Sequence, residues 1–329
     1  MTLDVVAVGN AIIDILQQAP DALLLQEDIA KGAMTLIDEA RADHLTQLFP
    51  TATVAAGGSA ANTVTGIASF GGAAGYIGKV ADDDLGRRFT EAFRASGVKY
   101  DTPPRGRPPG TARCLIVVTP DGQRSMNTYL GASTLLTADD LDVGLIQSAP
   151  ILFLEGYLFD REEAKAAFIR ASEIARAAER RVSITLSDVF CVERHRDSFK
   201  HLVANHIDIL FANEREILEL YETSDLAAAL KAASSACRTV AVTRSELGSV
   251  IIHEGVETHI PPFPVQNVVD STGAGDLYAA GFLFGFARGR PIAECGALAS
   301  LAAAEVISHM GPRPETNLRG LALKHGFRV

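Results

Sequence analysis

The chain has 329 residues, 47% of them hydrophobic and 21% charged, which is enough apolar material to bury a large core. Its formal net charge of −10 argues against a nucleic-acid backbone as the main partner, because proteins that bind one are usually basic. The four cysteines form no CxxC pair, so their spacing fits neither a zinc nor a disulfide framework and favours a reduced, cytoplasmic protein.

The first residues predict a buried strand and not a targeting segment. Residues 4–8 are a short apolar run that ends at a Gly-Asn turn, which is typical of a parallel strand covered on both faces. No Lys or Arg precedes this run, and Asp4 and Asp14 bracket it, so it does not fit a secretory signal. The longest Ala-rich helix candidate, 291–310, carries charged side chains, and we expect it in the core and not in a membrane.

Similar apolar runs recur along the chain and alternate with helical patterns. The predicted strands are 76–80, 151–154, 182–186, 207–211 and 239–243, and the predicted helices between them include 83–96, 161–176 and 226–237. Alternation at this spacing indicates βαβ units and a mostly parallel sheet with helices on both faces. The predicted fold class is therefore α/β.

Three segments interrupt this alternation and predict a second, small sheet. They are residues 11–18, 32–38 and 111–130, the last of which contains a hairpin around a Pro-Asp-Gly turn. A small β-sheet that projects from an α/β core is a common lid over a binding site. We expect one domain, residues 1–329, into which this lid is inserted.

The segment DSTGAGD, residues 270–276, combines an expected helix start with a carboxylate. A helix that begins near Gly275 would leave the backbone N–H groups of Gly273, Ala274 and Gly275 free to bind an anion. Asp276 would repel a resting phosphate, but it suits a base that takes the proton from a hydroxyl attacking a phosphoryl group. A helix-capping Asp beside tightly packed glycines is the structural alternative.

Two further polar segments follow predicted strands near the N-terminus. Gly57 and Gly58 would let the backbone approach a ligand, and Asn62 can donate to and accept from hydroxyl groups. The segment is neither a Walker A loop nor GxGxxG. Asn10 and Asp14 lie at the end of the first strand, where ligands dock in open α/β sheets, and could hold neighbouring hydroxyls of a polyol. Helix packing at small residues and a solvated turn are the structural alternatives.

These three segments occur in the order and spacing of the ribokinase-like (PfkB) family of carbohydrate kinases, which the chain resembles from about Val5 to Pro314. The resemblance implies a three-layer α/β/α sandwich with a β-sheet lid, and transfer of the γ-phosphoryl group of ATP to a primary hydroxyl with Mg²⁺ as cofactor. Asp276 is then the general base and the GAGD backbone the anion hole. Lid sheets in this family sometimes pair between subunits, which leaves a monomer and a lid-mediated homodimer open.

The resemblance also implies residues at the nucleotide end of the site. Asn213 and Glu216 fit the family's NxxE motif, which assigns Glu216 to the outer shell of the magnesium ion. Thr243 and Gly248 fit a TxGxxG nucleotide motif in which Ser245 replaces a usual glycine. Both pairs are therefore expected close to the ATP phosphates.

Further expectations concern cations and the adenine. The resemblance suggests a potassium ion behind the anion hole near Asp270 and Thr272, and places His309 at the adenine, with a packed core histidine as the alternative. The lid hairpin carries Arg113 and Arg124, either of which could neutralise charge on the transferring phosphate or remain a solvated charge.

Within the family, stretches such as GNAIIDI and HIDILFANE are most similar to adenosine kinases, which implies the 5′-OH of adenosine as acceptor. An apolar wall would then hold the purine and polar groups the ribose. The implied substrate residues are Asn10, Asp14, Met34, Leu36, Gly57, Gly58, Asn62, Arg124, Leu158 and Phe190, with Cys114 or Leu115 on the lid.

Two departures keep other substrates open. Met34 stands where animal adenosine kinases usually carry Gln, and Leu158 replaces an aromatic residue. A kinase for ribose, fructose, a sugar phosphate or another nucleoside is therefore the alternative. A protein that only binds a nucleotide or metabolite is a remote alternative, against which the intact Asp276 argues.

Overall fold

The structure is a computed structural model that describes residues 2–160 and 162–329. Across these ranges the chain forms a larger and a smaller sheet. The larger sheet contains β1 (Val5–Val8), β5 (Ala74–Ile77), β6 (Lys99–Tyr100), β9 (Ile151–Glu155), β10 (Arg181–Thr185), β11 (Ile209–Asn213), β12 (Thr239–Thr243), β13 (Ser249–His253) and β14 (Val256–Ile260). The smaller sheet contains β2 (Ile12–Gln18), β3 (Met34–Leu36), β4 (Thr53–Gly57), β7 (Ala112–Val118) and β8 (Arg124–Tyr129).

The larger sheet has the order β14-β13-β12-β11-β10-β9-β1-β5-β6. Its pairs are parallel from β6 through β12, and antiparallel where β12, β13 and β14 meet at one edge. The predicted mostly parallel α/β fold is therefore confirmed. The final antiparallel hairpin was not predicted from the sequence.

Helices cover both faces of this sheet. The helices of the described ranges, of which the second packs on the smaller sheet instead, are α1 (Asp21–Gln26), α2 (Glu39–Leu48), α3 (Ser59–Ser69), α4 (Asp84–Ala95), α5 (Val143–Gln147), α6 (Glu162–Ala177), α7 (Val189–His206), α8 (Glu214–Leu220), α9 (Leu226–Ala236), α10 (Ala274–Ala287), α11 (Ile292–Val306) and α12 (Leu318–Lys324). Along β1, Val5 and Ala7 join one buried cluster with α3, α10 and α11, whereas Val6 and Val8 join another with α6 and α7. This alternation produces the three layers, because successive strand residues point to opposite faces.

Several predicted bounds shift by a few residues. The strand predicted at 76–80 spans Ala74–Ile77, and the backbone at Gly78 passes so close to Gly9 that an added Cβ would lie 2.8 Å from the Gly9 carbonyl oxygen. The helix predicted at 291–310 ends at Val306, where the carbonyl of Ile307 accepts a hydrogen bond from Val269 N. The predicted helix start at Arg161 lies outside the described residues. In those ranges no helix is both long and apolar enough to cross a bilayer.

The smaller sheet has the order β3-β8-β7-β2-β4, so the three predicted lid segments pair as expected and β4 adds a fifth strand. On one face, Ile13, Leu115 and Val117 join the main core with Leu45 of α2. The other face carries Ile12, Cys114, Ile116 and Met126, among other residues, and looks onto a cavity. The lid is thus anchored by its outer face and leaves its inner face for a ligand.

Candidate active site

A cavity of about 580 Å³ lies between the lid and the carboxyl ends of the central parallel strands. Its floor includes residues at or just after those ends, namely Asn10, Glu155, Thr185, Asn213 and Thr243. Ligands in open α/β sheets dock at this edge, because the loops that leave the strands converge there. The cavity is therefore the candidate active site.

The segment 273–276 brings a helix start and a carboxylate to this cavity. Helix α10 begins at Ala274, and its capping residue Gly273 has φ 79°, with Pro312 O only 2.6 Å from where a Cβ would stand. Gly273, Ala274, Gly275 and Asp276 all line the cavity. A first helical turn with a left-handed glycine before it is a ready site for an anion.

Asp276 is held by two donors from the first turn of α3. Ser59 Oγ donates to Oδ1 at 2.6 Å and Asn62 Nδ2 donates to Oδ2 at 2.9 Å. Burial raises the pKa of Asp276 to about 6, although both hydrogen bonds lower it. The carboxylate is therefore ionised near neutral pH and still basic enough to accept a proton.

Glu155 is a site residue that the sequence analysis missed. Its carboxylate accepts from Asn10 Nδ2 at 2.9 Å, from Asn10 N at 3.2 Å and from Ala60 N at 2.7 Å. Burial raises its pKa to about 7. It thereby joins the end of β1 to the start of α3. The predicted strand stopped at residue 154, one position before this residue. The available signal was a carboxylate at the end of the otherwise apolar run ILFLE.

The contact with Glu155 defines what Asn10 can offer a ligand. The Asn10 amide nitrogen is engaged, whereas its Oδ1 is buried without a hydrogen-bond partner among the described residues. An unpartnered buried acceptor in a cavity wall favours a donor on the ligand, such as a hydroxyl group.

Asp14 lies on the lid strand β2 and lines the cavity, as Asn10 does. A Cβ at Gly57 would stand 2.1 Å from Asp14 Oδ2, so glycine is needed there to make room for the carboxylate. Gly57 supports the site in this way and does not itself line the cavity, whereas Gly58 does. Burial raises the pKa of Asp14 to about 7 against the opposing charges of Arg313 and Arg124.

Asn62 was expected to bind ligand hydroxyls. It lines the cavity, but both polar atoms of its amide already bond to protein groups. Its nitrogen donates to Asp276, and its Oδ1 accepts from Arg313 Nε at 3.5 Å. Arg313 also lies over the ring of Phe93, 5.3 Å from its centroid. No local pattern indicates a role for Arg313, because its contact with Asn62 spans 251 positions.

The inner face of the lid forms two rows across the strands. Leu36, Thr128, Cys114 and Asp14 make one row, and Met34, Met126 and Ile116 make the other. All seven line the cavity. The wall opposite Asp276 is therefore mainly aliphatic and sulfur-containing, with a polar end at Asp14.

Two residues expected in the substrate wall lie elsewhere. Leu158 is buried in the hydrophobic cluster of the opposite sheet face, and Tyr157 lines the cavity instead, because a short 3₁₀ turn at Gly156–Asp160 redirects the chain after β9. Phe190 is 51% exposed and stands outside the lining. Arg194, whose guanidinium lies 4.2 Å from the Phe190 ring centroid, lines the cavity in its place.

At the other end of the cavity, Asn213 and Glu216 bond each other. Glu216 accepts from Asn213 N at 2.8 Å and from its Nδ2 at 2.6 Å, and returns a bond from its own N to Asn213 Oδ1 at 2.9 Å. This reciprocal capping fixes the start of α8. Burial raises the pKa of Glu216 to about 7.

The other residues expected around the nucleotide divide into two groups. Thr243 and Ser245 line the cavity, and Ser245 has φ 50°, in the left-handed region that favours glycine. Gly248 does not line it but shapes the same turn, with φ 79°. His309 is half-buried, stands outside the lining, and its ring contacts Glu305 at 3.3 Å.

Arg124 reaches from the lid to the loop before α10. It forms an ion pair with Asp270 and donates to Thr272 Oγ1 at 2.6 Å. Asp270 also accepts from Thr272 N at 3.0 Å and from Gly311 N at 2.8 Å. The two residues expected to hold potassium are thus already bound by protein donors. Arg113, the other hairpin arginine, pairs with Asp43 away from the cavity.

Comparison with known proteins agrees with this geometry. The model of the pfkB family of carbohydrate kinases matches residues 28–317. A solved adenosine kinase from Sinorhizobium meliloti is 46% identical, with a TM-score of 0.93 over 99% of this chain and 100% of that one. A probable sugar kinase from Rhizobium etli has the same identity and TM-score over 99% of both chains. The adenosine kinase of Saccharomyces cerevisiae is 25% identical over 95% of this chain and 97% of its own.

Proposed function

Because the chain belongs to the pfkB family of carbohydrate kinases and is a phosphotransferase, we propose that it transfers the γ-phosphoryl group of ATP to the 5′-hydroxyl of adenosine. The observation that carries the proposal is the half-buried Asp276 at the start of α10, next to Gly273–Gly275 and fixed by Ser59 and Asn62. This arrangement combines a proton acceptor with an anion site, and phosphoryl transfer to an alcohol needs both.

In the proposed step, the acceptor hydroxyl attacks the γ-phosphorus and gives its proton to Asp276. The new O–P bond forms as the bond to the β-phosphate oxygen breaks, and ADP leaves with that electron pair. The N–H groups at the start of α10 stabilise the charge on the phosphoryl oxygens. Asn62 acts as a positioning residue, because its amide orients the base.

The polar end of the cavity suits the ribose. Asn10 Oδ1 and the Asp14 carboxylate are acceptors that neighbouring hydroxyl groups can satisfy. The two lid rows, with Met34, Met126 and Ile116, offer an apolar surface for the flat purine. Thioether and aliphatic contacts then form the apolar wall against the purine.

ATP would occupy the end of the cavity lined by Asn213, Thr243 and Ser245. The pair Asn213–Glu216 fits an outer-shell role toward magnesium, because each Glu216 oxygen accepts one hydrogen bond from Asn213 and keeps a lone pair for a metal-bound water. Magnesium, when bound, neutralises charge on the transferring phosphates. The proposal needs no direct protein ligand to it.

A sugar kinase is the second candidate. The paired acceptors Asn10 and Asp14 would hold any polyol, and relatives of equal identity are described as an adenosine kinase and a probable sugar kinase. The apolar lid rows favour the nucleoside, because a free sugar has no group to cover them.

The test is ADP release with ATP and magnesium across adenosine, other nucleosides, ribose, fructose and fructose phosphates. We expect the highest kcat/KM with adenosine, and loss of turnover in Asp276→Asn. A sugar as the best acceptor would keep the mechanism and overturn the substrate. Binding of ATP without turnover of any acceptor would support a non-catalytic protein instead.

A further inference from the structure

Arg124 connects the lid to the loop that shapes the anion site. It lies at the start of β8, and its guanidinium contacts the carboxylate of Asp270 and the hydroxyl of Thr272. The side chains of Arg124 and Asp270 are only 12% and 2% exposed, so water screens their attraction poorly. Asp270 precedes the turn that ends at Gly273, the left-handed residue before α10. The ion pair therefore lies directly behind the proposed anion hole.

The carboxylate of Asp270 has little capacity left for a metal ion. One oxygen accepts from Thr272 N, and the other accepts from both Gly311 N and the Arg124 guanidinium. The Thr272 hydroxyl oxygen also accepts from Arg124. A second cation at these oxygens would face the guanidinium charge at close range in a poorly solvated place. The residues present do not fit the potassium ion that the family resemblance suggested.

We propose that the Arg124 guanidinium is a built-in cation that takes the place of a monovalent metal ion behind the anion hole. It supplies the positive charge that Asp270 needs when buried, and it holds the 270–273 turn through two partners at once. Folding and activity of this protein should therefore be indifferent to potassium. The inference about activity rests on the proposed kinase function, whereas the inference about cation binding does not.

The decisive measurement is the melting temperature of the full-length protein in potassium chloride and in tetramethylammonium chloride at equal ionic strength. The wild type should melt at the same temperature in both salts. Arg124→Met leaves Asp270 without its cation, so this variant should melt several degrees higher in potassium, because an ion that binds only the folded state stabilises it. Arg124→Lys keeps a charge and should remain indifferent.

Arg113→Met is the matched control, because it removes an arginine from the same hairpin without touching Asp270. It should show no difference between the two salts. A wild type that potassium stabilises, or an Arg124→Met variant that melts identically in both salts, would overturn the proposal. This readout needs no substrate, so it stands even if the kinase assay fails.

A second experiment measures whether the rate of ADP formation depends on potassium. Wild-type ADP formation should be unchanged when tetramethylammonium replaces potassium. Arg124→Met should lose at least about tenfold in rate and recover part of it with potassium or with dilute guanidinium ion, which can enter the space of the missing side chain. A wild-type rate that depends several-fold on potassium would contradict the proposal, whereas absence of turnover under every condition would count against the proposed function alone.

Discussion

The hydroxyl of Ser59 donates a 2.6 Å hydrogen bond to Oδ1 of Asp276, a residue 217 positions further along the chain. Asn62 holds the other carboxylate oxygen, so both oxygens are fixed by the first turn of α3. That helix begins directly after the Gly57-Gly58 pair, whose backbone the lid strand β2 contacts through Asp14. The segment from Gly57 to Asn62 therefore both orients the carboxylate of Asp276 and shapes the end of the cavity proposed for the acceptor.

The first prediction concerns pH. Because the base must be ionised and the pKa of Asp276 is raised to about 6, kcat/KM should fall about tenfold per pH unit below that value. In Ser59→Ala, the loss of a hydrogen bond that lowers this pKa should move the acidic limb upward by about one unit. The pH profile of kcat/KM measures both.

Thr65→Ala is the control for this shift. Thr65 lies on the same helix, and its hydroxyl donates to Ala61 O within α3. Its profile should match the wild type. An acidic limb in Ser59→Ala that stays in place or moves to lower pH would show that the Ser59 contact does not act on the base.

The second prediction concerns Gly57. An alanine there would place Cβ 2.1 Å from Asp14 Oδ2, and the carboxylate would have to swing away. We expect the KM for the acceptor to rise about tenfold through lost hydrogen bonds, with the KM for ATP unchanged. Gly106→Ala is the control, because nothing lies within 4 Å of its added Cβ. Equal effects on both KM values would argue against a specific role for Asp14 in holding the acceptor.

The fold was largely predictable because its signals are local. The apolar run at Thr239–Thr243 has the bounds that its sequence predicted, and the Pro-Asp-Gly turn located the lid hairpin. The site was harder, because its key contacts join distant segments. Glu155 meets Ala60 and Arg313 meets Asn62, and no periodicity within either segment encodes the other partner.

The errors in the substrate wall have a similar origin. Leu158 was expected in the wall, but a 3₁₀ turn follows β9, so Leu158 packs in the core and its neighbour Tyr157 lines the cavity. Asn62 lines the cavity whereas Arg124 stands outside its lining, and distant residues engage the polar atoms of both. The direction in which one side chain points depends on its tertiary contacts, and a local sequence pattern does not encode them.

The third prediction concerns stability at two glycines with similar backbone angles. Gly248 has φ 79° and an added Cβ would lie 2.1 Å from Ile260 O, whereas Gly255 has φ 80° and nothing within 4 Å. Gly255→Ala should lower the free energy of unfolding by about 1 kcal/mol, the cost of the left-handed conformation. Gly248→Ala should cost about 3 kcal/mol, because backbone must also move. Urea denaturation measures both, and equal losses would contradict the steric account of Gly248.

The last prediction separates a core residue from a cavity residue. Leu158 is 3% exposed within the cluster that includes Leu154 and Leu186, so Leu158→Ala should lower the free energy of unfolding by about 3 kcal/mol and leave kcat/KM of the folded enzyme unchanged. Met126 faces the cavity from β8, so Met126→Ala should lower kcat/KM for adenosine by about tenfold with a smaller effect on stability. Leu25→Ala, at an 85% exposed position, should change neither quantity. A Met126→Ala enzyme that phosphorylates adenosine as well as the wild type would count against the lid rows as the purine-binding wall, and the acceptor would then be sought among sugars that need only the polar end of the cavity.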